Sequence, residues 1–69
     1  MNRALKKAID SNYKAAKHGI EVGISKDILL YDLNNTVKTI ETMYSSGNIT
    51  NHEHKNYSIK FKKLIEHIN

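Results

Sequence analysis

The hydrophobic residues of the chain recur in three blocks, each with the three- and four-residue spacing of one face of an α-helix. Glycines fall between the blocks, and proline is absent from the 69 residues. Helix interiors exclude proline, whereas sheets and long loops usually recruit it at turns. Because the connections between the blocks are short, the pattern predicts one all-α domain, a small three-helix bundle with antiparallel helix hairpins.

The first helix is predicted over about 3–18, with Asn2 as its N-cap and Gly19 as the left-handed residue that ends it. Lys17 and His18 would then lie in the last turn, where the helix dipole favours cations. The predicted inward face of this helix consists of Leu5, Ala8, Ile9, Tyr13, Ala16 and Ile20.

The second helix is predicted over about 26–46, from an N-cap at Ser25 to a terminating glycine at Gly47. Ile24, just before the cap, can pack on Leu29 as a hydrophobic staple. The predicted inward face consists of Leu29, Leu30, Leu33, Val37, Ile40, Met43 and Tyr44.

The third helix is predicted over about 51–68. Thr50 and Glu53 have the spacing of a capping box, in which each side chain accepts a hydrogen bond from the backbone amide of the other residue. His54 starts the inward face as a half-buried histidine. That face continues with Tyr57, Phe61, Leu64, Ile65 and Ile68.

The turn between the second and third helices resembles that of a known module. The segment 43–53 contains Gly47, Ile49, Thr50 and Glu53 in the order Gly-x-Ile-Thr-x-x-Glu. This order is similar to the turn of the short helical hairpins called SHOCT domains, which are appended oligomerisation or interaction modules. His54 replaces the aromatic residue that usually follows the glutamate. The resemblance implies a hairpin between the two helices.

The polar residues give no pattern typical of a catalytic or metal site. His52 and His54 lie two residues apart and therefore point to nearly opposite sides of a helix, so they cannot share one metal ion. No carboxylate spacing forces two acids together, and no phosphate-binding loop or nucleophile motif is present. Cysteine is absent. We therefore expect a protein that is not an enzyme and that uses neither a metal nor a cofactor.

The charge pattern singles out the outer face of the third helix. The formal net charge is +4. Ile59 is rotated by more than about 100° from the Phe61 face, so it should be exposed. It is surrounded by Lys55, Lys62 and Lys63. Ile59 is either a tolerated surface residue or an apolar anchor in a basic patch. The second interpretation predicts docking to a protein partner with an acidic surface, or self-association into a homo-oligomer.

A second basic surface is predicted on the first helix, where Arg3, Lys7, Lys14 and Lys17 lie on one outward stripe. Such a stripe, together with the basic residues of the third helix, can contact the backbone of a nucleic acid. Base-specific recognition relies mainly on arginine, and Arg3 is the single arginine. The favoured hypothesis is therefore a small protein-interaction module or regulator, and the alternative is a nucleic-acid-binding protein.

The chain contains no apolar run long enough to span a membrane, and its N-terminus lacks the apolar core of a signal peptide. We therefore expect a cytoplasmic protein without membrane partners. Lysine, asparagine and isoleucine are abundant, and A/T-rich codons encode all three. This composition indicates an A/T-rich genome, which we expect to be bacterial or that of a phage or another mobile element.

Overall fold

The computed structural model describes residues 3–69, so the predicted N-cap Asn2 lies outside the described residues. Its three helices are α1 (Arg3–Val22), α2 (Lys26–Ser45) and α3 (Asn51–Ile68). Residues 3–69 contain no strand. The middle helix, α2, packs against both α1 and α3. The protein is therefore a small three-helix bundle, as the hydrophobic pattern predicted.

The core forms where the inward faces of the three helices meet. Phe61 is completely buried, and Leu33 and Ile40 are each 1% exposed. The Tyr13 ring joins α1 to α3, because it meets the Phe61 ring edge-on at a centroid distance of 5.6 Å. The other buried members of the core are Ile9, Ala16, Met43, Ile49, Tyr57 and Leu64.

Helix α1 does not end at Gly19, as predicted, but continues to Val22. Gly19 is buried within the helix, where the absence of a side chain lets Leu29 of α2 approach closely. Lys17 and His18 consequently lie before the last turn, and no basic residue occupies that turn.

The left-handed residue that ends α1 is Gly23, with φ of +80°. Its amide donates to the Ile20 carbonyl at 3.3 Å, and the Ile24 amide donates to the Gly19 carbonyl at 2.9 Å. These two bonds form the Schellman motif, which satisfies carbonyls that the helix end would leave without donors. The predicted termination at Gly19 is therefore wrong, and Gly23 takes this role.

Helix α2 begins after Ser25, which occupies the N-cap position without a side-chain capping hydrogen bond. Its C-terminal end repeats the motif of α1. Gly47 has φ of +77°, and the Asn48 amide donates to the Met43 carbonyl at 2.8 Å. The predicted termination at Gly47 is confirmed.

The predicted capping box at the start of α3 is also confirmed. The Glu53 amide donates to Thr50 Oγ1 at 3.1 Å, and the Thr50 amide donates to Glu53 Oε1 at 2.9 Å. Ile49, which precedes the cap, is 4% exposed and belongs to the core. Two predicted inward residues, Ala8 and Tyr44, are instead exposed.

Candidate protein-binding surfaces

The predicted basic patch lies on the outer face of α3. Phe61 and Leu64 fix the rotation of this helix by entering the core, and Ile59 is left 45% exposed on the opposite side. We use the name Ile59 patch for Ile59 with its exposed helical neighbours Lys55, Lys62 and Lys63.

The lysines of the Ile59 patch are not neutralised within the bundle. Among residues 3–69, no salt bridge involves Lys55, Lys62 or Lys63. Lys60 of the same helix is engaged differently, because its Nζ lies 4.2 Å above the centre of the Tyr13 ring. The patch therefore combines an apolar centre with three lysines whose charges are available to a partner.

The basic stripe of α1 is a separate surface on a different helix. All four of its residues are exposed. Lys17 Nζ also lies 5.7 Å from the centre of the Tyr13 ring, within the range of a cation–π contact. The stripe consists of Arg3, Lys7, Lys14 and Lys17.

A cluster of polar and aromatic side chains joins the facing ends of α2 and α3. His54 Nε2 lies 2.8 Å from Glu41 Oε1, and the His54 ring stacks on Tyr44 at a centroid distance of 4.1 Å. The Tyr44 hydroxyl donates to Asn51 Oδ1 at 3.1 Å. His54 is half-buried at the bundle end, as predicted, and its contacts link the two helices.

The remaining histidines do not converge on a metal site. His52 Nε2 lies 3.1 Å from Asn56 Nδ2, one helical turn away. Within residues 3–69, no group of three or more histidine, aspartate or glutamate side chains is arranged to hold a metal ion.

A polar groove between α1 and α3 contains Tyr57 and Glu53, two side chains whose pKa values are shifted. Burial raises the pKa of Tyr57, and the nearby charges of Asp10 and Glu53 act in the same direction. The pKa of Glu53 is lowered, first because the Thr50 backbone amide donates to its carboxylate. Both shifts follow from helix capping and packing, and neither activates a nucleophile. Lys6 and Lys60 also line this groove.

A second groove runs between α1 and α2, and the sequence interpretation did not identify it. We use the name α1–α2 groove for this surface. Its described lining residues belong to α1, α2 and the turn between them. Ile28 is 56% exposed here. Its exposure could have been predicted from the sequence, because it directly precedes the inward Leu29 and therefore lies off the inward face of α2. The lining residues are Asn12, Ala15, Ala16, Ile24, Ile28, Leu29, Asp32, Leu33, Asn35, Thr36 and Thr39.

No family model, curated protein or solved structure matches this chain. The resemblance to SHOCT domains thus stays a likeness of one turn. Among residues 3–69, no helix has the length and apolar character that a bilayer crossing requires.

Proposed function

We propose that this protein is a small non-enzymatic interaction module that binds an acidic surface of a host or mobile-element protein through the Ile59 patch. In this proposal the protein acts in the cytoplasm as a regulator of its partner. The observation that carries the proposal is the exposure of Ile59 at the centre of three lysines that have no salt-bridge partner among residues 3–69.

The chemistry of the patch suits a protein partner with carboxylates around an apolar depression. Burial of the exposed part of Ile59 supplies non-directional affinity, and an apolar side chain at the centre of an interface is typical of a binding hot spot. Lysines at the rim increase the association rate with an acidic surface and disfavour basic partners. The patch therefore provides both an anchor and a charge-based selection.

The proposal is tested by photo-crosslinking in the cell that encodes the protein. A photoreactive amino acid replaces Ile59 in one variant and Lys38 of α2, also exposed, in the control. We expect the variant labelled at position 59 to form a protein adduct that resists nuclease. The variant labelled at position 38 should form no such adduct. Replacement of Lys55, Lys62 and Lys63 by glutamine should weaken the adduct. Equal adducts at both positions, or an adduct removed by nuclease, would contradict the proposal.

The alternative function is binding of a nucleic-acid backbone by the basic stripe of α1 together with the basic residues of α3. The observation in its favour is that Arg3, Lys7, Lys14 and Lys17 are all exposed. It predicts an affinity for any duplex that falls steeply as salt rises, and that is lost when Lys7, Lys14 and Lys17 become glutamine. Retention of duplex binding by that triple variant would contradict the alternative.

A further inference from the structure

The segment 22–31, which spans the turn between α1 and α2, carries most of the large hydrophobic side chains that are exposed among residues 3–69. Four of the six large hydrophobic side chains that are exposed among residues 3–69 lie within 22–31: Val22 (58%), Ile24 (45%), Ile28 (56%) and Tyr31 (69%). Exposed apolar side chains concentrated in one segment often mark an interaction site in small proteins. Ile24 and Ile28 extend it into the α1–α2 groove.

Two polar side chains of the α1–α2 groove, Thr36 and Thr39, have their hydroxyl donors satisfied within α2. The Thr36 hydroxyl donates to the Asp32 carbonyl at 3.0 Å, and the Thr39 hydroxyl donates to the Asn35 carbonyl at 3.1 Å. Each hydroxyl proton is thus used within α2, so the side chain can be covered without leaving a donor unpaired. Ala15 adds a methyl group from α1.

The charge distribution separates this groove from the other surfaces. Of its described lining residues, Asp32 is charged, and none is lysine or arginine. A second copy of the chain also carries a net charge of +4. If that copy approached the Ile59 patch or the α1 stripe with its own equivalent surface, lysines would face lysines. In the α1–α2 groove the charged lining residue that would approach its own copy is Asp32, so two copies meet there with fewer like charges than at either basic surface.

The size of the face suits a dimer. Helices α1 and α2 have 20 residues each, and the molecule measures 35 × 20 × 15 Å. A helix of 20 residues is about 30 Å long, and two such helices packed about 10 Å apart present a face of about 600 Å², of the same order as the ~800 Å² that each partner buries in a standard interface. A core of this size rarely supplies more than ~3–5 kcal/mol, so burial of this face would add substantially to stability.

We infer that the α1–α2 groove is the interface of a symmetric homodimer in which a second copy of this chain packs its own α1–α2 groove against the first. The same residues of both copies meet across a two-fold axis, with Ile28 as the apolar anchor. The groove and the Ile59 patch share no residue, so the inference does not depend on the proposed function.

The test is the molar mass in solution, measured by sedimentation equilibrium from about 1 µM to 1 mM. We expect the wild-type chain to reach twice its 7.9 kDa. Ile28→Glu should raise the dissociation constant by about 100-fold or more, because two carboxylates would enter the interface. Ile59→Glu is the matched control, since it changes an exposed isoleucine of α3 to the same residue, and it should leave the dimer unchanged.

Circular dichroism checks that each variant keeps its helices. If Ile28→Glu does not fold, Ala15→Glu replaces it, because Ala15 is exposed and glutamate is a good helix former. A wild-type chain that stays at 7.9 kDa over the whole concentration range would overturn the inference. This holds even if the groove proves to bind a different protein. Dissociation by Ile59→Glu, or a dimer that survives the groove substitution, would overturn it as well.

Discussion

Gly19 and Leu29 approach each other so closely that residue 19 has no room for a side chain. A Cβ atom on Gly19 would lie 2.7 Å from Leu29 Cδ2 and 3.3 Å from Ile24 Cδ1. The last turn of α1 thereby rests directly on the first turn of α2. The helical conformation at residue 19 needs no glycine, so the requirement comes from packing alone.

We expect Gly19→Val to lower the free energy of unfolding by about 1–3 kcal/mol, because its branched side chain must displace Leu29. Ala8→Val is the control, since Ala8 is exposed on the same helix and should lose only about 0.5 kcal/mol of helix propensity. Urea denaturation at one protein concentration measures both. A Gly19→Val protein as stable as Ala8→Val would show that Leu29 can move away without cost.

Leu33→Ala should lower the free energy of unfolding by about 2–5 kcal/mol, because it leaves a cavity at a position that is 1% exposed. Lys38→Ala, on the outer surface of the same helix, should change it by less than about 0.5 kcal/mol. Thermal and urea denaturation measure the difference. Similar losses in both variants would contradict the assigned inward face of α2.

Glu53 should make the stability of the bundle depend on pH. Its pKa in the folded chain is below the ordinary value of 4.5, so folding favours the carboxylate. The stabilisation is therefore fully present above about pH 4.5 and is lost as the pH falls through the folded pKa.

Glu53→Gln isolates this effect, because glutamine also fits a capping box but does not titrate. The advantage of the wild type over the variant in urea midpoint should be largest near neutral pH and should shrink as the solution is acidified. Other carboxylates titrate in both proteins and cancel in the comparison. A difference that stays constant from neutral to strongly acidic pH would contradict the role of the Glu53 carboxylate.

Ser58→Ala should stabilise the protein. The Ser58 Oγ atom is buried and has no hydrogen-bond partner among residues 3–69. Its removal should relieve a desolvation cost and improve helix propensity, for a gain of about 1–2 kcal/mol. Ser11→Ala, at an exposed position of α1, should gain only the propensity of about 0.5 kcal/mol. Chemical denaturation compares the two, and equal gains would mean that the Ser58 hydroxyl costs nothing.

Much of the fold could be predicted from local patterns. The face of α3 containing Tyr57, Phe61 and Leu64 has a regular helical spacing, and the register of that face also predicts the exposure of Ile59. The Thr50–Glu53 capping box depends only on residues three apart. Such features follow from the sequence because their partners are neighbours in it.

The features that were missed depend on contacts between elements. The choice between Gly19 and Gly23 as the end of α1 is decided by the approach of Leu29 from α2. The α1–α2 groove stays open because α3 packs elsewhere on α2, and helical spacing does not specify that side. The pairing of His54 with Glu41 likewise requires two helices in a fixed register.

The turn between α2 and α3 also bears on the order in which the chain acquires structure. Gly47 reverses the chain, Ile49 enters the core and Thr50 starts the next helix, all within a few residues. Loop closure between such near neighbours costs little conformational entropy. The turn between α1 and α2 is also short, but its residues 23–25 are exposed and add nothing to the core. We therefore expect the α2–α3 hairpin to be the folding nucleus, onto which α1 docks through Tyr13 once the Phe61 ring is in place.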